Sequence, residues 1–134
     1  MSTPIRLTIP ASAAWVMLVR TAAAATCARL DFSIDRLEDV RLAVDEVAAM
    51  LIADAEPGAD LLCEFLPLPD SGLEITMSAR TLTGTMPRTD TFAWAVITAL
   101  VDNVAASVDG QLVSVLLRTS ASTSPSASAN TVNV

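Results

Sequence analysis

Histidine, lysine and tyrosine are missing from this sequence of 134 residues, and all eight basic residues are arginine. Each absence removes a class of chemistry. Without histidine there is no Ser-His-Asp or Cys-His catalysis and no histidine metal site. Without lysine there is no Schiff base and no P-loop lysine. Glycine is scarce, at four residues, and no glycine-rich phosphate loop occurs. Fifteen acidic residues against eight basic ones give a net charge of -7, a poor electrostatic match to a phosphate backbone. No nucleic-acid partner is therefore expected. Carboxylate chemistry remains, or a binding surface without chemistry.

The two cysteines, Cys27 and Cys63, lie far apart and form no metal motif. They read as buried apolar thiols rather than a disulfide. The apolar run from Ala11 to Ala28 is interrupted by Arg20 and is rich in alanine, so it falls short of a membrane span. No basic region precedes it, as a signal peptide requires. A cytoplasmic protein with a folded N-terminus and no membrane partner is expected.

What is present is 52% hydrophobic and is patterned for one domain. Ile5 to Ile9 alternates as a strand. Ser12 is a plausible cap for a helix over Ala13–Arg29, with Trp15, Leu18, Val19, Ala22 and Ala25 at helical spacing. Asp35 and Glu38 stand at capping-box spacing before a helix over Arg36–Ala53. Its apolar stripe is Leu37, Val40, Val44, Val47 and Leu51, with Arg36, Arg41 and Asp45 opposite. Leu61–Leu66 and Leu73–Arg80 read as a hairpin around a Pro-Asp-Ser-Gly turn. Thr81–Thr91 is a loop. A third helix covers Phe92–Asp102 with a stripe of Phe92, Val96, Ala99 and Leu100. Val104–Val108 and Leu112–Leu117 form a second hairpin across Asp109-Gly110. Residues 119–134 are small and polar and read as a disordered tail behind a domain of residues 1–118. Strands joined by tight turns, with three amphipathic helices to cover one face, predict a two-layer α/β sandwich with a mostly antiparallel sheet.

The second helix contains Leu42-Ala43-Val44-Asp45-Glu46-Val47-Ala48-Ala49-Met50. Here the sequence resembles the RsbW/SpoIIAB family of anti-sigma factors, and within it the actinobacterial RsbW-like members. The resemblance runs from Leu7 to about Ala53 and resumes over Phe92–Val104. It implies the ATPase fold of histidine kinases and gyrase, a serine-kinase ancestry, a sigma factor and an anti-anti-sigma (STAS) protein as partners, and a homodimer. It also implies Mg·ATP as a cofactor. On this resemblance Glu46 matches the family's general base, and Met50 stands where the family's Mg²⁺-binding asparagine lies one turn later. A thioether is a poor ligand for a hard cation.

After the first hairpin the family carries Asp-x-Gly-x-Gly for the adenine. This chain has Ser78-Ala79-Arg80-Thr81-Leu82-Thr83-Gly84-Thr85, and its following loop is short for an ATP lid. ATP binding is therefore expected to be weak or lost. Arg20 falls on a family arginine that touches both protein partners, and Val16 replaces a family acid one turn earlier. A snorkelling Arg20 is the plain alternative. Trp15 and Trp94 read as core or edge packing and, where exposed, as interface candidates.

The leading expectation is a degenerate anti-sigma factor. An active kinase of an anti-anti-sigma protein is one alternative, and a small-molecule binder in the emptied nucleotide cleft is another.

Overall fold

In a computed structural model, residues 3–121 are described. The element order is β1 (Ile5–Pro10), a 3-10 turn (Ala13–Trp15), α1 (Val16–Arg29), α2 (Ile34–Ala53), β2 (Asp60–Pro67), β3 (Gly72–Arg80), α3 (Phe92–Leu100), β4 (Asn103–Asp109) and β5 (Leu112–Ser120). The five strands form one sheet in the order β1-β2-β3-β5-β4, and every neighbouring pair is antiparallel. Three helices cover one face. The two-layer α/β sandwich is thus the observed architecture.

Alternation decides which side of each strand meets the helices. Ile9, Leu61, Cys63, Phe65, Ile75, Met77, Val115 and Leu117 are buried beneath the helix layer. Arg6, Glu64, Thr76, Ser114 and Arg118 lie on the other face, where Arg6 pairs with Glu64 at 2.7 Å and Arg118 with Glu74 at 3.0 Å. The long α2 lies in the middle of the helix layer. Its buried row is Val40, Ala43, Val44, Val47, Ala48 and Leu51; Leu37 of the expected stripe is only half-buried, and Ala43 and Ala48 join the row. Each fully buried Val or Leu contributes roughly 1.5–3 kcal/mol of apolar transfer free energy.

Several local expectations are corrected. The N-cap of α2 is Ser33, whose hydroxyl accepts from the Arg36 backbone N–H at 3.2 Å, so the helix starts two residues before the expected Arg36. Glu38 does not close a capping box and pairs with Arg41 instead. In α1 the buried row is Val19, Ala23 and Cys27, while Trp15, Leu18 and Ala25 face outward. In α3 only Ile97 is fully buried, Phe92 is 85% exposed, and the helix ends at Leu100. Strand β5 runs to Ser120, beyond the expected domain end at residue 118, and Thr119 is buried. Residues 122–134, most of the expected tail, lie outside the described residues. Among the described residues no helix is long and apolar enough to cross a membrane.

That extra length of β5 has a cause. Arg36 donates to the Thr119 hydroxyl at 2.6 Å, to the Ser120 carbonyl at 3.3 Å and to the Asp102 carboxylate at 3.3 Å. Asp102 in turn accepts from the Ser120 backbone N–H at 2.8 Å. One arginine, 15% exposed along its side chain, ties the start of α2 to the end of α3 and the end of the sheet. Arg36→Ala is expected to lower the unfolding free energy by about 2 kcal/mol in urea titrations, because charged hydrogen bonds are lost and buried acceptors are stranded.

Both cysteines are free and buried, and burial pushes their thiols from 9.0 up to about 12; Arg36 partly opposes this at Cys27. A folded pKa above the unfolded value gives stability that is complete below the unfolded pKa and is lost as pH rises toward the folded one. With no lysine, tyrosine or histidine in the chain, no other side chain titrates in that window. Stability is therefore expected to stay level from neutral pH to 9.0 and to fall above it. Chemical unfolding of the wild type and of Cys27→Ala/Cys63→Ala checks this, since the double variant should lose the alkaline decline.

Candidate partner-binding face and the adjoining cleft

Two consecutive residues of α2, Asp45 and Glu46, point about 100° apart around the helix and so belong to different surfaces. Asp45 faces α1. Its two carboxylate oxygens accept from Arg20 Nε at 2.9 and 3.1 Å. Arg20 therefore does not simply snorkel. Its Nε is fixed, and its two terminal amino groups make no bond among the described residues. The guanidinium is held at one edge and offered at the other, suited to bind a planar carboxylate through two N–H donors.

Around that fork lies a groove of about 400 Å³ between α1 and α2, lined by Ala13, Val16, Arg20, Asp45, Ala49, Ile52 and Ala53. Val16 and Arg20 both line this groove, with Ala13 from the turn before α1. Trp15 beside them is 49% exposed, with Met17 and Leu18 also exposed. Arg20 and Arg29 are the only charged residues of α1. The chain at the start of α1 thus exposes large apolar side chains of the kind enriched at protein-binding surfaces. Trp94, by contrast, is half-buried on α3.

Sequence reasoning places Asp45 with the solvent-facing residues and does not single it out. Its signal is the pairing itself, and an arginine and an aspartate 25 residues apart carry no local pattern.

Glu46 is half-buried and makes no hydrogen bond or ion pair among the described residues. One turn on, Met50 lines a cleft of about 170 Å³ with Leu51, Asp54, Thr81, Thr85, Met86, Pro87 and Val113. The loop after β3 is tied down over this cleft. Leu82 N–H donates to the Asp54 carbonyl at 2.8 Å, and Thr83 Oγ1 donates to the Asp54 carboxylate at 2.7 Å. Thr81 N–H donates to the Gln111 carbonyl at 2.8 Å, and Gln111 Nε2 donates to the Leu82 carbonyl at 3.3 Å. Gly84, at φ +62°, packs so close to the β4–β5 turn that a Cβ would stand 2.5 Å from the Gly110 carbonyl oxygen.

These residues do not fit Mg·ATP. The cleft is smaller than the roughly 300–1,000 Å³ of ordinary ligand sites. Its lining holds a thioether where a hard ligand is required, no cation for phosphates, and one carboxylate, Asp54. No group of three carboxylate, cysteine or histidine side chains able to hold a metal occurs among the described residues. The same dimensions disfavour a cleft adapted to another small molecule. Titration with labelled ATP and Mg²⁺ is expected to give no saturable binding up to millimolar nucleotide; micromolar binding would show that the cleft opens.

Known proteins resemble this chain in sequence and in fold. No family model matches the chain. The anti-sigma-F factor RsbW of Mycobacterium tuberculosis, from two strains, is 35% identical over 107 residues. That match covers 80% of this chain, which spans 63% of the length of those relatives. A crystal structure of RsbU and RsbW domains from Mycobacterium tuberculosis superposes with a TM-score of 0.72 over 88% of this chain and 32% of that one, at 13% identity. At that identity the likeness is one of fold.

Proposed function

Because this chain is RsbW-like in sequence and in fold, we propose that it is an anti-sigma factor that sequesters an alternative sigma factor on the outer face of α1. The observation that carries this reading is the Arg20 fork at the α1–α2 groove, on a stretch of chain that also exposes Trp15, Met17 and Leu18. The mechanism is steric. A sigma factor held on this face cannot present the same surface to polymerase. Its chemistry at the contact is an apolar helix face with a carboxylate for Arg20. An anti-anti-sigma protein of the STAS type competes for the same face and releases the sigma factor.

Charge assists at longer range. The net charge of -7 draws a basic DNA-binding protein toward this chain, while the docking face itself carries only arginines. A kinase reaction forms no part of this reading, since Met50 and the small, pinned cleft give Mg·ATP no fitting site. Release then depends on competition for the face and not on phosphorylation of the competitor. The protein is read as a homodimer.

Binding titrations with purified alternative sigma factors, a sigma-F-type factor first, test the proposal. One of them is expected to bind, and Trp15→Ala and Arg20→Ala are each expected to weaken it by about 30-fold, the mark of an interface hot spot. Arg20→Lys should rescue poorly, because an ammonium cannot donate as a planar fork. Arg88→Ala, on the exposed loop before α3, should leave affinity unchanged. Absence of binding to every sigma factor tested would sink the reading.

A further inference from the structure

A cavity larger than the one beside Met50 lies on the open face of the sheet, the side away from the helices. Its volume is about 620 Å³. That falls within the roughly 300–1,000 Å³ of ordinary small-molecule sites. Register builds its floor. Ser78 of β3 stands opposite Leu62 of β2 on one side and Ser114 of β5 on the other, so short side chains meet in the middle of the sheet. The loop from α2 to β2 supplies a wall, with Glu56, Pro57 and Gly58. Glu56 N–H donates to the Arg80 carbonyl at 2.9 Å, and Ala59 N–H closes a turn on the Glu56 carbonyl at 3.0 Å. The wall is thereby fixed to β3.

Three carboxylates, Glu56, Asp60 and Glu64, face one cation, Arg80, in this cavity, so anions are repelled. Two of the carboxylates are held at one oxygen only. Arg80 Nε donates to Glu56 Oε2 at 3.3 Å, and Arg6 Nε donates to Glu64 Oε2 at 2.7 Å. The other oxygen of each is left to accept, and the Asp60 carboxylate makes no bond among the described residues. Yet no three acids converge on a point where they could hold a metal ion among the described residues. The negative charge is spread out, and its match is a ligand whose positive charge is spread out too. The floor is polar as well as buried. Ser78 is 8% exposed, and its hydroxyl bonds that of Ser114 at 2.8 Å. One bond uses only part of what two hydroxyls can donate and accept, and neither makes another among the described residues.

Spacing along β2 narrows the ligand. Asp60, Leu62 and Glu64 alternate onto the same face of the strand, in the order acid, apolar, acid. The two acids are four residues apart, about 13 Å along the strand. We propose that this cavity binds an aliphatic polyamine, laid along β2 with one ammonium at Asp60, another at Glu64 and the carbon chain between them on Leu62. Leu112 flanks the chain from the β5 side. Glu56 and the serine hydroxyls accept the remaining N–H donors. Each ammonium gains a charge-assisted hydrogen bond, and the methylenes between them leave water against leucine. The site lies across the sheet from α1 and is separate from sigma-factor capture.

An NMR titration of isotope-labelled protein with spermidine at low salt tests this. Saturable shifts are expected at the backbone amides of Asp60, Leu62, Glu64, Ser78 and Ser114. Putrescine, whose nitrogens stand closer together, should bind about tenfold more weakly, and butylamine, with a single charge, should not saturate. Asp60→Asn and Glu64→Gln should each weaken spermidine about tenfold with an unchanged thermal melt. Asp31→Asn removes the same charge from the turn between α1 and α2, outside the cavity, and should change nothing.

Shifts scattered over the whole acidic surface, equal binding of butylamine and spermidine, or indifference to both cavity variants would each overturn the proposal. So would a capped arginine tripeptide that binds more tightly than spermidine, since the cavity would then belong to a protein side chain. None of these readouts involves a sigma factor, so failure of this site and failure of the anti-sigma reading are told apart.

Discussion

Burial of the α2 stripe against β2, β3 and β5 is the constraint from which the rest of the structure follows. Val40, Val44, Val47 and Leu51 meet the centre of the sheet, and their burial fixes the helix in both rotation and height. A helix 20 residues long fixed in this way has no freedom left on its other sides. Its start must carry Arg36 to the end of β5, one flank must carry Asp45 to α1, and the other must carry Met50 to the loop after β3. Three separate regions take their geometry from one packed row. A cavity at Val44 would loosen the Arg20 fork as well as the core.

The same helix divides two roles between neighbouring residues. Asp45 and Ala49 line the groove beside α1, while Glu46 and Met50 belong to the other flank. The two flanks have different fates in this chain. On the α1 side the polar element is complete, with Nε paired and the two terminal amino groups left to donate. On the other side the carboxylate has no partner among the described residues, the residue one turn later is a thioether, and four hydrogen bonds hold the loop over the cleft. Substituting one flank of a helix costs the opposite flank nothing so long as the buried row is kept. That independence lets the α1–α2 groove and the Met50 cleft change separately.

Legibility in the sequence depends on contrast. α2 has polar residues between its apolar ones, so its buried row can be read from periodicity alone. α1 offers almost no contrast. With two arginines in 14 residues its apolar spacing fits several faces, and Trp15, Leu18 and Ala25 satisfy the pattern as well as Val19, Ala23 and Cys27, which form the core row. Phe92 misleads for a related reason: a large apolar residue at a helix start reads as core, yet here it faces solvent. Asp35 and Glu38 match a known capping spacing and so mask the cap at Ser33. Composition assigns Thr119 and Ser120 to the tail, and only the long-range bonds of Arg36 draw them into the sheet. The pinned loop over Thr81–Gly84 has no local signature, since its partners Asp54 and Gln111 are about 30 residues away on either side.

Charge reaches further than any of these contacts. Seven of the eight arginines form ion pairs, with Arg29 the exception among the described residues. Most of these pairs are exposed and contribute little stability, so their main effect is to neutralise positive charge locally. The net negative charge is then carried by acids such as Asp31, Asp35, Asp60, Asp70 and Asp109, none of which lies on α1. Distance and contact are thereby served by different residues. The acids act over about a Debye length, roughly 8 Å at physiological salt, and raise the rate of encounter with a basic protein. In the proposed complex the α1 face acts only on contact, through exposed apolar side chains and one oriented guanidinium. Added salt should consequently slow association more than it hastens dissociation, because the field that steers the partner is not the surface that holds it.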